Sequence, residues 1–149
     1  MLKSRVNDAD LRHRRGFNCA QAVACTYCDL LGVNEVTALR GLEAFGAGIA
    51  ASGSTCGAVC GLLFLAGLKN SSGDLQNRTS KGATVRLGTQ LLQQFESWNG
   101  SALCRELKGL ATGKVLRSCS GCIKDAARLA EDVLFAGQFE PYTPRTEEE

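Results

Sequence analysis

Eight cysteines stand in a chain of 149 residues: Cys19, Cys25, Cys28, Cys56, Cys60, Cys104, Cys119 and Cys122. Sulfur is a soft ligand for zinc, copper and iron–sulfur clusters. It is also the side-chain atom that makes and breaks covalent crosslinks. The spacing sorts the eight. Cys25 and Cys28 form one C-x-x-C and Cys119 and Cys122 a second, while Cys56 and Cys60 are four apart and share a helix face. Cys56 opens an expected helix, where free N–H groups and the helix dipole favour a thiolate. Cys119 and Cys122 also open one, as a thioredoxin-like dithiol with Arg117 and Lys124 adding positive charge. Cys25 and Cys28 fall in mid-helix. There they could touch one metal or simply fill a core as small apolar residues. His13 is the single histidine and sits in a run of arginines, so any metal site rests on sulfur and a His-based triad is not expected.

The elements that must position these thiols read as helices. The two prolines, Pro141 and Pro144, both lie near the end, and long stretches show a 3.6-residue apolar period without β-type alternation. Residues 2–14 predict a short charged helix ended by Gly16. Asn18 caps a second, running to about residue 31, and Gly32 ends it. Asn34 caps a third, with Val36, Leu39 and Leu42 inward. Residues 46–53 (GAGIAASG) read as a glycine- and alanine-rich loop. A helix over 56–69 begins with small residues and continues with bulky ones, which predicts the buried central element. Residues 80–98 place Val85, Gly88, Leu92 and Phe95 on one stripe. Ser101 caps a short helix holding Cys104, and Ser118 precedes the last, 119–136, with Ile123, Ala126, Ala127, Ala130, Val133 and Leu134 inward. The expected architecture is all-α: a single compact domain of about six or seven helices over residues 1–138. A flexible acidic tail, 139–149, follows.

Composition narrows the function classes. At 44% hydrophobic and 21% charged, the chain can bury a core without disulfides, so its thiols are free for other work. A net charge of +2 with sparse, uninterleaved aromatics argues against nucleic acid. The longest apolar run, near residues 58–68, is too short to span a bilayer, and the N-terminus lacks the apolar core of a signal peptide. A soluble cytoplasmic protein, with thiols reduced by default, is expected. Residues 46–51 fit G-x-G-x-x-A, but no strand precedes them, so nucleotide binding is not expected.

With Asn18-Cys19-Ala20-Gln21, Cys56-Gly57-Ala58-Val59, Cys104 and Cys119 in view, the chain resembles the C-GCAxxG-C-C family of redox-active proteins. GFNCAQAV, CGAVCG, GLK, the C-R-E-L around Cys104 and a cysteine ahead of IKDAA carry the resemblance, which spans residues 14–134. It implies a helical fold, four shared cysteines and a prosthetic group such as an iron–sulfur cluster. By position it implies Cys19, Cys56, Cys104 and Cys119 as the shared set, the ligands of a cluster or another metal, with Cys119 preferred to Cys122. Cys25, Cys28, Cys60 and Cys122 are then additions to the pattern. The resulting expectation is an electron-transfer or metal-handling protein that works with a redox partner protein. Two alternatives stand beside it. One is a metal-free thiol–disulfide protein or sensor in which Cys56, Cys119 or Cys122 reacts. The other is an interaction module with inert cysteines, for which an exposed helical face would serve a homodimer. Zinc, or no cofactor at all, replaces the cluster in these versions.

Overall fold

The structure, a computed structural model, describes residues 1–144. Seven α-helices follow one another: α1 Val6–Arg14, α2 Cys19–Tyr27, α3 Glu35–Gly41, α4 Gly57–Asn70, α5 Lys81–Asn99, α6 Cys104–Leu107 and α7 Cys119–Leu129. Short 3-10 turns extend α2 (Cys28–Leu31) and follow α3 (Glu43–Phe45), and a π turn, Ala130–Leu134, continues α7. Among the described residues no strand forms, only isolated pairings of Leu2 with Phe139 and Thr55 with Leu103. The all-α expectation holds.

Local chemistry sets the helix starts. Asn18 caps α2 in a full capping box: its side chain accepts from the Gln21 N–H, and the Gln21 side chain accepts from the Asn18 N–H. Asn34 caps α3 and Ser118 caps α7 in the same sense, each accepting from an N–H three residues on. These caps fix where Cys19 and Cys119 begin their helices.

Packing then brings the helices together. α4 is the central element, and its apolar face meets α2, α5 and α7. Its contact with α2 is unusually close because two glycines face that helix. A Cβ on Gly61 would lie 2.5 Å from the Ala20 carbonyl oxygen, and one on Gly57 would lie 3.1 Å from the Cys19 Cβ. Backbone cannot yield as a flexible side chain can. Gly61→Ala is therefore expected to lose about 1–3 kcal/mol, read as a lower urea midpoint at unchanged m-value.

An aromatic group closes the far end. Tyr27 stacks on Phe135, and Phe139 meets both edge-on. The Tyr27 hydroxyl donates to Glu131 at 2.5 Å, and the same carboxylate accepts the Arg5 N–H at 2.8 Å. A buried carboxylate needs such partners.

Several expectations are corrected. The first helix begins at Val6 rather than residue 2, because Leu2 instead exchanges backbone hydrogen bonds with Gln138 and Glu140. Val36 and Val85 are exposed, at 60% and 61%. No element covers those faces, which an apolar period alone does not reveal. Val133 is exposed because the wider π turn breaks the α-register that would have carried it inward. Phe139 is buried, so packing continues into the segment read as a tail, and Tyr142 reaches Asn7. The rest of that tail reading, 145–149, lies outside the described residues.

Candidate functional site

Three helix starts, one short helix and one loop meet at a small cavity. Cys19, Cys56, Cys104, Cys119 and Cys122 all line it, with Gly48, Leu107, Lys108 and Arg117. Cys19 is the first residue of α2 and Cys119 the first of α7, while Cys56 is the N-cap of α4. Each sulfur therefore sits in the first turn of a helix at least nine residues long, the end where the dipole and unpaired N–H groups stabilise negative charge. Cys104 opens α6 and is pinned by a backbone bond to the loop between α3 and α4: its N–H donates to the Ser54 carbonyl at 2.7 Å. The Cys56 N–H donates to the Ala102 carbonyl at 2.7 Å, which ties α4 to the approach to α6.

The loop between α3 and α4 is the least expected part. Ala47, Gly48, Ile49, Ala50 and Ala51 all have positive φ, between 50° and 74°, forming a left-handed turn. Each non-glycine residue held so costs about 1–2 kcal/mol. Strain of this kind is retained where the surroundings over-determine it, commonly at functional sites. Here the strained turn presses its backbone on Cys104. A Cβ on Gly48 would stand 2.6 Å from the Cys104 Cβ and 2.8 Å from the backbone N and O of Ser54. Gly48 is buried and lines the cavity.

The thiols are polarised in pairs. Cys119 is drawn down to about 5 by a hydrogen bond from the Cys19 thiol, with the positive charges of Lys108 and His13 assisting. Cys19 is correspondingly raised. Both open helices, and the Lys108 ammonium favours the thiolate of each. Cys56 is lowered by the Cys122 thiol and then by the N–H groups of Ala58 and Val59. These N–H groups stabilise a Cys56 thiolate although the side chain makes no full cap bond. Cys122 is raised, first by that same partner. Cys104 is raised by burial. Within this cavity Cys119 and Cys56 thus carry the thiolate character, while Cys19, Cys122 and Cys104 are the raised thiols.

This polarity has a direct readout in the metal-free protein. Alkylation of Cys119 by iodoacetamide should be fast at neutral pH and fall away as pH drops through about 5. A lowered thiol is reactive above its own pKa and protected below it. Cys19→Ala should move that midpoint upward, and Lys108→Met should move it by less. Site-resolved mass spectrometry against pH measures this. A wild-type midpoint near the ordinary thiol value, about 8.5, would contradict the arrangement.

The fit of a metal can be judged on the cavity itself. Its free volume is about 20 Å³, room for one water-sized atom. A single ion is accommodated as the side chains stand, whereas a cluster requires the thiols to turn outward. Among the described residues, no three His, Cys, Asp or Glu side chains close to the spacing of a formed metal site. The donor chemistry nonetheless suits a thiophilic centre: five sulfurs line the cavity, three of them at the starts of α2, α4 and α7.

All four residues of the shared set line this cavity, and so does Cys122. Cys25, Cys28 and Cys60 do not. The Cys25 thiol points at the Glu35 carbonyl at 3.6 Å and is raised by burial to about 11. Cys28 is also buried and raised. Cys60 turns to the Thr55 carbonyl at 3.8 Å, on the side of α4 facing Leu42 and Phe64, and is raised to about 11. Arg117 lines the cavity, but its guanidinium donates twice to Asp125 at 3.2 Å. Lys124, expected to assist Cys119, is buried and is not among the residues lining the cavity. Lys108 is the assisting cation, and sequence reading missed it. The available signal was its place four residues after Cys104, on the same helical face. The G-x-G-x-x-A segment proves to be the left-handed turn, with neither strand before it nor βαβ unit around it.

Comparison with known proteins bears on the same residues. A family model described as "Putative redox-active protein (C_GCAxxG_C_C)" matches residues 17–133, a span that includes every cysteine of the chain. No curated protein and no solved structure matches.

Proposed function

This chain belongs to the C-GCAxxG-C-C family of redox-active proteins, and we propose that its working part is a thiolate-bound metal centre in the five-cysteine cavity, an iron–sulfur cluster for which the thiols turn outward from the positions they hold in the small cavity. One observation carries the reading: cysteines from four separate segments meet at one cavity, against a strained loop that presses on Cys104. Cys19, Cys56, Cys104 and Cys119 would hold the group, and Cys122 stands as the fifth sulfur. Such a group, when bound, accepts and returns single electrons without bond rearrangement in the protein. The chain's own contribution is electrostatic. The helix starts carrying Cys19, Cys56 and Cys119, the N–H groups of Ala58 and Val59, and the Lys108 ammonium all oppose the negative charge that four thiolates bring. Leu107 and the strained loop supply apolar lining to the cavity. No helix of the described residues is long and apolar enough to cross a membrane. We place the protein in the reducing cytoplasm, where eight unpaired thiols are sustained.

A second reading is favoured by a separate observation: Cys19 and Cys119 line one cavity, and Cys119 is held as the thiolate. In it the chain is a metal-free reductant. The Cys119 thiolate attacks a disulfide of an oxidised protein partner, forming a mixed disulfide and releasing one partner thiolate. Cys19 then gives up its proton and attacks the Cys119 sulfur, expelling the second partner thiolate. The chain ends as a Cys19–Cys119 disulfide and the partner as a dithiol. Two electrons move to the partner, and its two protons come from Cys19 and from solvent. Iron, zinc and acid-labile sulfide contents of anaerobically purified protein separate the readings. Iron with matching sulfide supports the first. Metal-free protein that cycles between two titratable thiol states supports the second.

A further inference from the structure

Between Cys104 and Cys119 the chain forms a compact surface loop whose role nothing so far explains. Residues 107–117 leave α6 and return to it, and both the Leu116 and Arg117 N–H groups donate to the Leu107 carbonyl, at 2.9 and 3.3 Å. Loops closed at their ends in this way are frequently functional. Both ends of this one, Leu107–Lys108 and Arg117, line the cysteine cavity. Its outer part turns apolar side chains to solvent: Leu110 is 71% exposed, Val115 61% and Leu116 41%. It carries Lys108, Lys114 and Arg117 and no acidic residue.

The patch continues beyond the loop. Leu116 and Arg117 border an open groove of about 420 Å³ whose other wall holds Trp98 and Arg128. Trp98 is 41% exposed and lies under the Arg128 guanidinium, 5.1 Å from its ring centre. Asp125 is the single carboxylate lining that groove, and it must serve both Arg117 and Arg128. Among the residues lining the groove, one negative charge therefore meets two positive ones, and the loop adds the exposed Lys114. Tryptophan and arginine beside exposed aliphatic side chains is the composition of an interface centre. A surplus of one charge around it steers a partner of the opposite charge.

We propose that this face, the loop 107–117 with the Trp98 groove, docks an acidic protein that exchanges electrons with the cysteine centre. The partner's chemistry follows from the patch: carboxylates for Lys114, Arg117 and Arg128, and an apolar tip for Leu110, Val115 and Leu116. The location follows from the loop ends, since Leu107, Lys108 and Arg117 line the same cavity as Cys104 and the half-buried Cys119. This inference rests on the redox reading for what is exchanged, but docking itself does not need a bound centre.

The test uses that separation. The full-length, isotope-labelled chain is titrated with an acidic plant-type ferredoxin as the probe, and backbone amide shifts are followed at low and at physiological ionic strength. Expected are shifts confined to residues 107–117, Trp98 and Arg128, diminishing as salt is raised. Lys114→Glu, a solvent-exposed change outside the cavity, should weaken binding about tenfold or more at unchanged circular dichroism and melting temperature. Lys81→Glu, at the far end of α5, should leave binding unchanged. The proposal is overturned by shifts mapping elsewhere, by no shifts at all, or by equal binding of the Lys114→Glu chain. It is equally overturned if anionic phosphatidylglycerol vesicles, and not the ferredoxin, shift these residues, because the face would then meet a membrane surface. A colourless, metal-free chain that still docks the ferredoxin here would count against the metal centre and not against this face.

Discussion

Cys56→Ser is expected to strip the centre of metal while leaving the helical fold standing. Cys56 is the N-cap of α4, and its sulfur is met by the Cys122 thiol and by the N–H groups of Ala58 and Val59. Serine keeps a capping oxygen, a favoured N-cap atom, so α4 should still begin at Gly57. What goes is the thiolate. Changes merely behind a ligand cost about 10–100-fold in metal affinity, and losing a ligand outright should cost more. Anaerobic purification with iron and sulfide determination, alongside circular dichroism, checks this. Serine protein that retains full metal would remove Cys56 from the centre. Cys60→Ser is the matched comparison. Cys60 faces away from the cavity toward the Thr55 carbonyl, and that protein should keep its metal.

Gly48→Val should be the most damaging single change in the loop. At φ +74° a β-branched residue is strained before any contact is counted. The added Cβ would then meet the Cys104 Cβ at 2.6 Å and Ser54 backbone at 2.8 Å, with nothing flexible to move aside. The loop already holds four non-glycine residues in left-handed geometry. The expected loss is about 3 kcal/mol or more. Cys104 should be displaced with it, since its N–H is bonded to Ser54. Chemical denaturation and metal content measured together should both fall. Unchanged stability with intact metal binding would mean that the left-handed turn does not brace the centre.

The parts of this molecule that were legible in the sequence are those governed by neighbours along the chain. Asn18, Asn34 and Ser118 announce helix starts because a cap is a bond to an N–H three residues on. The helical period and the missing β-alternation fix the class for the same reason. What escaped depends on distant partners. Val36, Val85 and Val133 fit an apolar stripe, yet no element covers them. Phe139 seemed part of a tail until Tyr27 and Phe135 supplied its pocket. The left-handed turn runs against local preference at Ala47, Ile49, Ala50 and Ala51, so no propensity argument would find it.

The cysteines divide along the same line. The C-x-x-C pairs caught attention through spacing, but spacing did not decide their use. Cys25 and Cys28 lie buried away from the cavity, and Cys119 and Cys122 take different partners, Cys19 and Cys56. The pairing joins residues about a hundred or about sixty-five positions apart, far outside any local rule. It also gives Cys122 a place that position alone had denied it.

The central claim is that this cavity holds an iron–sulfur cluster on cysteine thiolates. Visible absorbance of anaerobically purified protein, quantified with its iron and acid-labile sulfide, tests it most directly. A brown protein with iron and sulfide in matching amount, both lost on Cys56→Ser and kept on Cys60→Ser, is the predicted result. A colourless protein without iron, whose thiols remain reactive and interconvert with disulfides, would contradict it.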